Sequence, residues 1–256
     1  MLETLHPLRV WLGRKVYGDF GKCVRISGSR MLKRTIPAES DALLYIAHNT
    51  KLRVPKVYRT YYYKGDYFLE MEYIRGESLD AAWHKLSLEE KDRIMQDLAD
   101  DIKQLRELKP PENEGIGSVM MKETKDLRLS YLPFGPFRDI EDFHRFVRKN
   151  VPIEKCREIF GEDVFHCHAQ KYRTTMSHSD LCLRNVILAH TGKPVLIDWE
   201  FAGWRPEYWE FTKFFYTMIA VPPDVDELFR RYFDNYPAEL KAERHLWNIF
   251  DVPWSD

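Results

Sequence analysis

The stretch that decides the fold begins at His178 and reads His178-Ser179-Asp180-Leu181-Cys182-Leu183-Arg184-Asn185. After a short apolar run and a turn comes Ile197-Asp198-Trp199-Glu200. This order sets one aspartate, an asparagine five positions later, and a second aspartate directly behind a short hydrophobic strand. A carboxylate beside an attacking hydroxyl, together with oxygen ligands for Mg²⁺, is what phosphoryl transfer requires. We therefore take Asp180, Asn185 and Asp198 as candidate site residues.

Length and composition limit the classes of protein that need to be considered. The chain has 256 residues, 44% of them hydrophobic and 31% charged, which is typical of an ordinary globular protein. Its 39 basic and 40 acidic residues give a net charge of −1. A nucleic-acid binder needs a basic excess, so we expect no nucleic-acid partner. The sequence leaves the oligomeric state open.

The expected location is the cytoplasm, with no membrane partner. No apolar stretch approaches the ~20 residues of a membrane-spanning helix. The first residues lack the basic and apolar regions of a signal peptide. Four cysteines without a C-x-x-C pair are consistent with reduced thiols.

The first 75 residues are predicted to form mainly strands. Strand-like runs at 22–27 and 30–34 flank a Ser-Gly-Ser turn, and aromatic runs at 57–63 and 67–74 flank Lys64-Gly65-Asp66. Between them, Pro37 and apolar residues at helical spacing predict a helix over 37–49. The expectation is a small antiparallel sheet with one helix.

The remainder is predicted to be mainly helical. Ser87 and Glu90 form a capping box before a helix whose apolar stripe comprises Leu88, Met95, Leu98, Ile102, Leu105 and Leu108. A loop is expected over 110–138, a helix over 139–149 and a short hairpin at 186–189 and 194–197. Residues 151–175 are ambiguous, and two or three helices are expected from 206 onward.

The pattern H-x-D-x-x-x-x-N followed by I-D-W-E resembles the aminoglycoside phosphotransferase and choline kinase family, and its continuation to Glu210 resembles the fungal-type branch. The resemblance covers roughly residues 22–215. It implies an α+β, protein-kinase-like fold of two lobes. Residues 1–75 would form the nucleotide-binding lobe, and 76–256 a helical lobe with the catalytic loop and acceptor pocket. ATP and Mg²⁺ are the implied cofactors.

The resemblance also assigns roles around the motif. Asp180 matches the catalytic aspartate that orients the acceptor hydroxyl and accepts its proton. Asn185 and Asp198 match the metal ligands. His178 matches a structural histidine. Glu210 matches an acidic position that supports the catalytic loop from the next helix.

On the nucleotide side, Lys33 matches the strand lysine that contacts the phosphates, and Glu39 would pair with it. Met71 matches the gatekeeper behind the adenine, and Glu72 and Ile74 would offer a backbone carbonyl and N–H to the base. Residues 17–22 take the place of the phosphate-covering loop with two glycines, although without the full G-x-G-x-x-G pattern.

Simpler interpretations exist for several of these residues. Lys33 alone could be a solvated lysine, and Glu39 could merely favour a helix N-terminus. Arg184 could touch the γ-phosphate or form a structural salt bridge, and Glu200 could assist the metal or pair with an arginine.

The chain lacks the extended activation segment and A-P-E element with which protein kinases present peptides. A small molecule with a hydroxyl group is therefore the expected acceptor. The alternatives are a catalytically silent nucleotide- or partner-binding protein on the same fold and, less favoured, a kinase of proteins.

Overall fold

The computed structural model describes residues 2–18, 21–111, 115–218 and 220–250. Up to residue 107 the elements are α1 (Leu2–Tyr17), β1 (Cys23–Arg25), β2 (Arg30–Thr35), α2 (Pro37–Asn49), β3 (Val57–Tyr63), β4 (Asp66–Glu72), β5 (Gly76–Ser78), α3 (Leu79–Ala82) and α4 (Leu88–Glu107). The later elements are β6 (Gly117–Ser118), β7 (Thr124–Asp126), β8 (Ser130–Phe134), α5 (Ile140–Val147), α6 (Ile153–Ala169), β9 (Thr174–Ser177), β10 (Val186–Ala189), β11 (Pro194–Leu196), β12 (Gly203–Pro206), α7 (Trp209–Thr217), α8 (Pro223–Tyr232) and α9 (Pro237–Phe250). Mixed helices and small antiparallel sheets confirm the expected α+β class.

Contacts between backbone positions divide the chain into two units. The first comprises Met1–Asp97 and Leu183–Glu200, and the second comprises Leu98–Cys182 and Phe201–Asp256. The lobe boundary at residues 75 and 76 stays a prediction. None of the helices within the described residues combines the length and apolar character needed to cross a bilayer.

The first unit is built on an antiparallel sheet with the strand order β1-β2-β4-β3. Its β3–β4 turn has Lys64 at φ 49° and Gly65 at φ 85°, and two consecutive positive φ angles match the twist of a tight hairpin. In α2, Ala42, Leu43 and Ile46 are fully buried. A second sheet in this unit has the order β11-β10-β5. The predicted helix over 37–49 and the hairpins at 57–72 and 186–196 are confirmed.

The second unit contains a sheet of order β6-β12-β9, the β7–β8 hairpin and several helices. Its apolar core includes Phe143, Tyr208 and Trp209, none of which has measurable exposure. Phe143 packs edge-on against Trp209 with the ring centroids 5.0 Å apart. Aromatic pairs of this geometry add about 1 kcal/mol beyond the burial of their area.

Several predictions are wrong in detail. Helix α1 was not expected, so residues 2–18 and 21–75 contain two helices rather than one. The loop predicted over 110–138 contains β6, β7 and β8, and β9 and β12 were also missed. Leu88 is not part of the buried stripe of α4 because 77% of it is exposed, whereas Ile94 is buried. In the described residues after 206 there are three helices, which agrees with the two or three predicted.

Candidate active site

A buried lysine joins two carboxylates in the first unit. Lys33, on β2, donates from Nζ to Glu39 Oε1 at 2.7 Å and to Asp198 Oδ1 at 2.6 Å. Glu39 lies in the first turn of α2, which begins at Pro37 immediately after β2. The predicted ion pair between Lys33 and Glu39 is therefore present, and the reading of Lys33 as a solvated surface lysine is wrong because only 5% of it is exposed.

Burial and the neighbouring carboxylates shift the pKa of Lys33 in opposite directions. Desolvation disfavours the ammonium of Lys33, but Glu39 and Asp198 outweigh it, so the pKa of Lys33 is raised above its usual value. Burial also raises the pKa of Glu39, against the lowering effect of Lys33. The lysine is thus held as a cation between two acidic partners.

A hairpin brings the two predicted metal ligands to one end of a sheet. In the β10–β11 pair Val186 lies opposite Leu196, and the Ile197 N–H donates to the Asn185 carbonyl at 2.9 Å. Asn185 directly precedes β10 and Asp198 follows β11, so both residues lie at the same end of this antiparallel pair. Asp198 has a positive φ of 64°, a backbone conformation in which aspartate is enriched among non-glycine residues.

The donor atoms around Asp198 suit a hard divalent cation. Carboxylate oxygens of Glu39, Asp198 and Glu200 lie within 4.8 Å of one another. Carboxylate and amide oxygens are the protein ligands that Mg²⁺ prefers. The residues present therefore fit Mg²⁺, and Glu200, whose role the sequence left open, faces this cluster.

The predicted adenine-binding residues follow one another at the end of β4. Met71 is buried and pairs in register with Met31 of β2 and Val57 of β3. The backbone N–H of Glu72 donates to the Lys56 carbonyl at 2.8 Å. Ile74 comes two residues later and is half-buried.

The predicted catalytic aspartate lies in the second unit, directly after β9. The backbone N–H of Asp180 donates to His178 Nδ1 at 3.3 Å, and His178 is completely buried. Ser179 between them has a φ of 64°. This left-handed conformation costs free energy, so it persists only where the surrounding structure holds it, and it is concentrated at functional sites.

Glu210 of α7 holds this loop. Its Oε2 accepts from Ser177 Oγ at 2.7 Å, from the His178 N–H at 2.6 Å and from the Ser179 N–H at 3.3 Å. The expected support of the loop by Glu210 is confirmed as a set of contacts. The hydroxyls of Ser177 and Ser179, 3.0 Å apart, were missed by sequence reasoning, although two serines flanking the histidine were a visible signal.

Lys33 contacts both Glu39 and Asp198 directly, and Met71, Glu72, Ile74 and Asn185 belong to the same unit. Asp180 belongs to the other unit. In the glycine-containing loop at 17–22, Asp19 and Phe20 lie outside the described residues, so the expectation for that loop stays a prediction.

Solved structures share this fold at low sequence identity. A protein assigned as a fructosamine-3-kinase from Haemophilus somnus 129PT is 16% identical, with a TM-score of 0.58 over 88% of this chain and 76% of that one. A thermostable mutant of aminoglycoside phosphotransferase APH(4)-Ia, in a ternary complex with AMP-PNP and hygromycin B, is 13% identical, with a TM-score of 0.59 over 93% and 87%. APH(2″)-IIa in complex with gentamicin is 15% identical, with a TM-score of 0.56 over 96% and 85%.

A search of curated proteins finds no significant match. The sequence profile of one family, in contrast, matches nearly the whole chain, from residue 8 to residue 243. That match contains every candidate site residue discussed above, from Lys33 to Glu210. The chain belongs to the phosphotransferase enzyme family.

Proposed function

We propose that this protein is an ATP- and Mg²⁺-dependent kinase that transfers the γ-phosphate to a hydroxyl group of a small molecule. The observation that carries the proposal is the contact of the buried Lys33 with both Glu39 and Asp198. A fixed cation beside a carboxylate cluster is suited to bind a triphosphate together with its metal. Family membership and a related fold crystallised with AMP-PNP support the same conclusion.

In this proposal the first unit binds the nucleotide. Lys33 contacts the α- and β-phosphates, and Glu39 keeps its ammonium directed toward them. Met71 lies behind the adenine, while the Glu72 carbonyl and the Ile74 N–H contact the edge of the base. Asn185 and Asp198 would hold Mg²⁺, which when bound neutralises charge on the phosphate oxygens.

Asp180 orients the acceptor hydroxyl and accepts its proton during in-line attack on the γ-phosphate. Its backbone is tethered to His178, and Glu210 fixes the two preceding N–H groups. A carboxylate held in this way loses little entropy when the acceptor arrives, which favours its use as a base.

A small acceptor is favoured over a peptide. Helix α7 begins at Trp209, soon after Asp198, which leaves little chain for a peptide-presenting segment. The relatives include a protein assigned as a fructosamine kinase and phosphotransferases crystallised with aminoglycosides. These acceptors are polyhydroxylated, and we propose the same chemical class here.

Two alanine variants test the proposal by separating nucleotide binding from turnover. Asp198→Ala is expected to weaken Mg·ATP binding in calorimetry. Asp180→Ala should bind Mg·ATP like the parent protein but lose about 10²–10⁴-fold in turnover, the usual contribution of a general base. Asp97→Ala is the control, because Asp97 pairs with Lys193 on the surface.

The acceptor can be found by melting the protein with a Mg²⁺–ATP analogue across a library of hydroxylated metabolites, since a ligand that binds only the folded state raises Tm. Hits are then assayed with labelled ATP, alongside a protein extract. Label in the metabolite supports the proposal. Label only in protein, or binding without any transfer, contradicts it and supports one of the two alternatives.

A further inference from the structure

Helix α1 presents an unusual number of apolar side chains to solvent. Of the fifteen large hydrophobic residues that are exposed within the described part of the chain, five belong to α1: Leu5, Leu8, Trp11, Leu12 and Val16. Trp11 is 56% exposed and Val16 is 66% exposed. At 3.6 residues per turn, the four aliphatic residues fall within an arc of about 80°. They form one stripe, which we call the α1 stripe.

A neighbouring face of α1 is already packed against the sheet of the first unit. The His6 ring stacks on Tyr63 at 4.2 Å and donates to or accepts from the Tyr61 hydroxyl at 3.0 Å. Arg9 forms a 2.9 Å ion pair with Glu70. Gly13 lies so close to β1 that an added Cβ would stand 2.5 Å from the Arg25 carbonyl oxygen. The α1 stripe is therefore not the face with which this helix docks on its own sheet.

The charged residues in the part of α1 that carries the α1 stripe are basic. Residues 5–18 contain Arg9, Arg14 and Lys15 and no Asp or Glu, although the whole chain is almost neutral. On the helical wheel, Lys15 and Arg9 border the α1 stripe on its two sides. Lys64, in the neighbouring β3–β4 turn, lies 5.6 Å from the Tyr63 ring.

A shallow apolar cavity of about 560 Å³ flanks the same helix. Pro7, Val10, Trp11 and Tyr63 line it, and Arg14 and Lys15 contribute to its wall. Apolar lining beside basic side chains matches a ligand that is itself part hydrocarbon and part anion. Trp11 lines this cavity and lies outside the α1 stripe, beyond Lys15 on the helical wheel; tryptophan prefers the boundary between water and lipid.

We propose that α1 lies on the surface of an anionic lipid membrane, with the α1 stripe among the upper acyl chains and its basic residues at the headgroups. A helix whose aliphatic stripe is bordered by basic residues is the type that binds such an interface, and α1 has three cations against one acidic residue, Glu3. A second copy of this chain fits less well, because two such faces would oppose cations without a carboxylate in residues 5–18 to pair with them. An interfacial helix binds without a membrane-spanning segment.

Vesicle co-sedimentation of the full chain tests the proposal. We expect binding to phosphatidylcholine vesicles that contain about a third phosphatidylserine, weaker binding at about 0.5 M salt, and little binding to pure phosphatidylcholine. Leu8→Gln/Leu12→Gln should weaken binding at least ~10-fold through the lost apolar contact. The matched control is Leu88→Gln/Leu132→Gln, which alters two exposed leucines elsewhere and should bind like the parent.

Further variants test the basic residues and Trp11 separately. Arg14→Gln/Lys15→Gln should lose affinity for the anionic vesicles and much of the salt dependence. Binding should shift tryptophan emission to the blue in the parent but not in Trp11→Phe, which should still co-sediment. Circular dichroism and Tm of each variant check that α1 and the fold are retained.

The proposal is overturned if the parent protein does not co-sediment with the anionic vesicles. Equal binding by Leu8→Gln/Leu12→Gln also overturns it. A third result would also overturn it: the parent protein forms a dimer in sedimentation velocity without lipid, and Leu8→Gln/Leu12→Gln is monomeric. The α1 stripe would then bind a second copy of the chain. None of these outcomes depends on kinase activity, so they are independent of the proposed function.

Discussion

Lys33 is a buried cation with two carboxylates at hydrogen-bonding distance. Its pairing with Glu39, six positions away, was implied by the family resemblance and is present in the structure. The contact with Asp198 spans 165 positions and could not be derived from local pattern. It follows from the way in which β10 and β11 return the chain to the first unit, which the sequence analysis did not predict.

We predict that Lys33→Met destabilises the fold by about 3 kcal/mol, because Glu39 is then left buried without a counter-charge. Urea unfolding of the two proteins measures this. Adding Glu39→Gln to Lys33→Met should recover part of the loss, since the buried charge is removed. The control is Lys193→Met, which breaks the ion pair with Asp97 at the surface and should cost less than about 1 kcal/mol. Equal losses for Lys33→Met and Lys193→Met would contradict the prediction.

Elements with a strong local signal were predicted with nearly correct bounds. Helix α2 begins at its proline, and the β3–β4 turn coincides with Lys64-Gly65. The capping box before α4 is present, with the Glu90 N–H donating to Ser87 Oγ at 3.3 Å and the Ser87 N–H to Glu90 Oε2 at 2.8 Å. In each case the residues that fix the backbone are adjacent in sequence.

The missed elements depend on distant partners or have a misleading pattern. All four residues of β9 are buried, so no alternation of polar and apolar residues marks it as a strand. Its partner β12 is also four residues long, and the two pair across about thirty positions. Helix α1 contains Pro7 and Gly13 and exposes its apolar stripe, which reverses the usual relation between pattern and burial.

The β5–β10 pairing supports a prediction at the scale of an element. A Cβ added at Gly76 would stand 2.2 Å from the Leu188 carbonyl oxygen, whereas one added at Gly28 would meet only the Arg75 side chain at 3.5 Å. Gly76→Ala must therefore push β5 away from β10, and we expect a loss of about 1–3 kcal/mol. Gly28→Ala should change the unfolding free energy by less than about 0.5 kcal/mol. Chemical denaturation compares the two, and a Gly76→Ala protein as stable as Gly28→Ala would refute the close approach.

At the scale of the molecule, the motif residues are divided between the units. Lys33, Asn185 and Asp198 belong to the first unit, and Asp180 belongs to the second, because the chain changes units between Cys182 and Leu183. The sequence motif predicts which residues are candidates for the reaction, and the resemblance anticipated that Glu210 supports the loop. The sequence could not show that Glu210 Oε2 accepts from the Ser177 hydroxyl as well as from backbone N–H groups, because this depends on how α7 packs in the second unit.

The second unit also contains two stacked, buried histidines, from which we predict that the stability of the fold decreases in acid. His144 and His168 have their ring centroids 4.1 Å apart, His144 Nε2 lies 2.9 Å from the Tyr208 hydroxyl, and His168 Nδ1 lies 3.1 Å from Arg148 Nη1. Burial, with a further contribution from Arg148, lowers the pKa of His144 to about 3. Burial, His144 and the nearby arginines lower the pKa of His168 in the same direction.

Protons therefore bind these histidines in the unfolded chain before they bind in the folded one. The free energy of unfolding should decrease as pH falls below about 6.5, the ordinary value, by about 1.4 kcal/mol per pH unit for each histidine. From pH 7 to pH 5 this amounts to about 2 kcal/mol each. In urea unfolding at the two pH values, His144→Gln should reduce the acid-induced loss by that amount, whatever the variant costs at pH 7. The control is His48→Gln, at an exposed position of α2, which should leave the acid-induced loss of unfolding free energy unchanged. If His144→Gln leaves that loss unchanged as well, His144 is not the group that titrates.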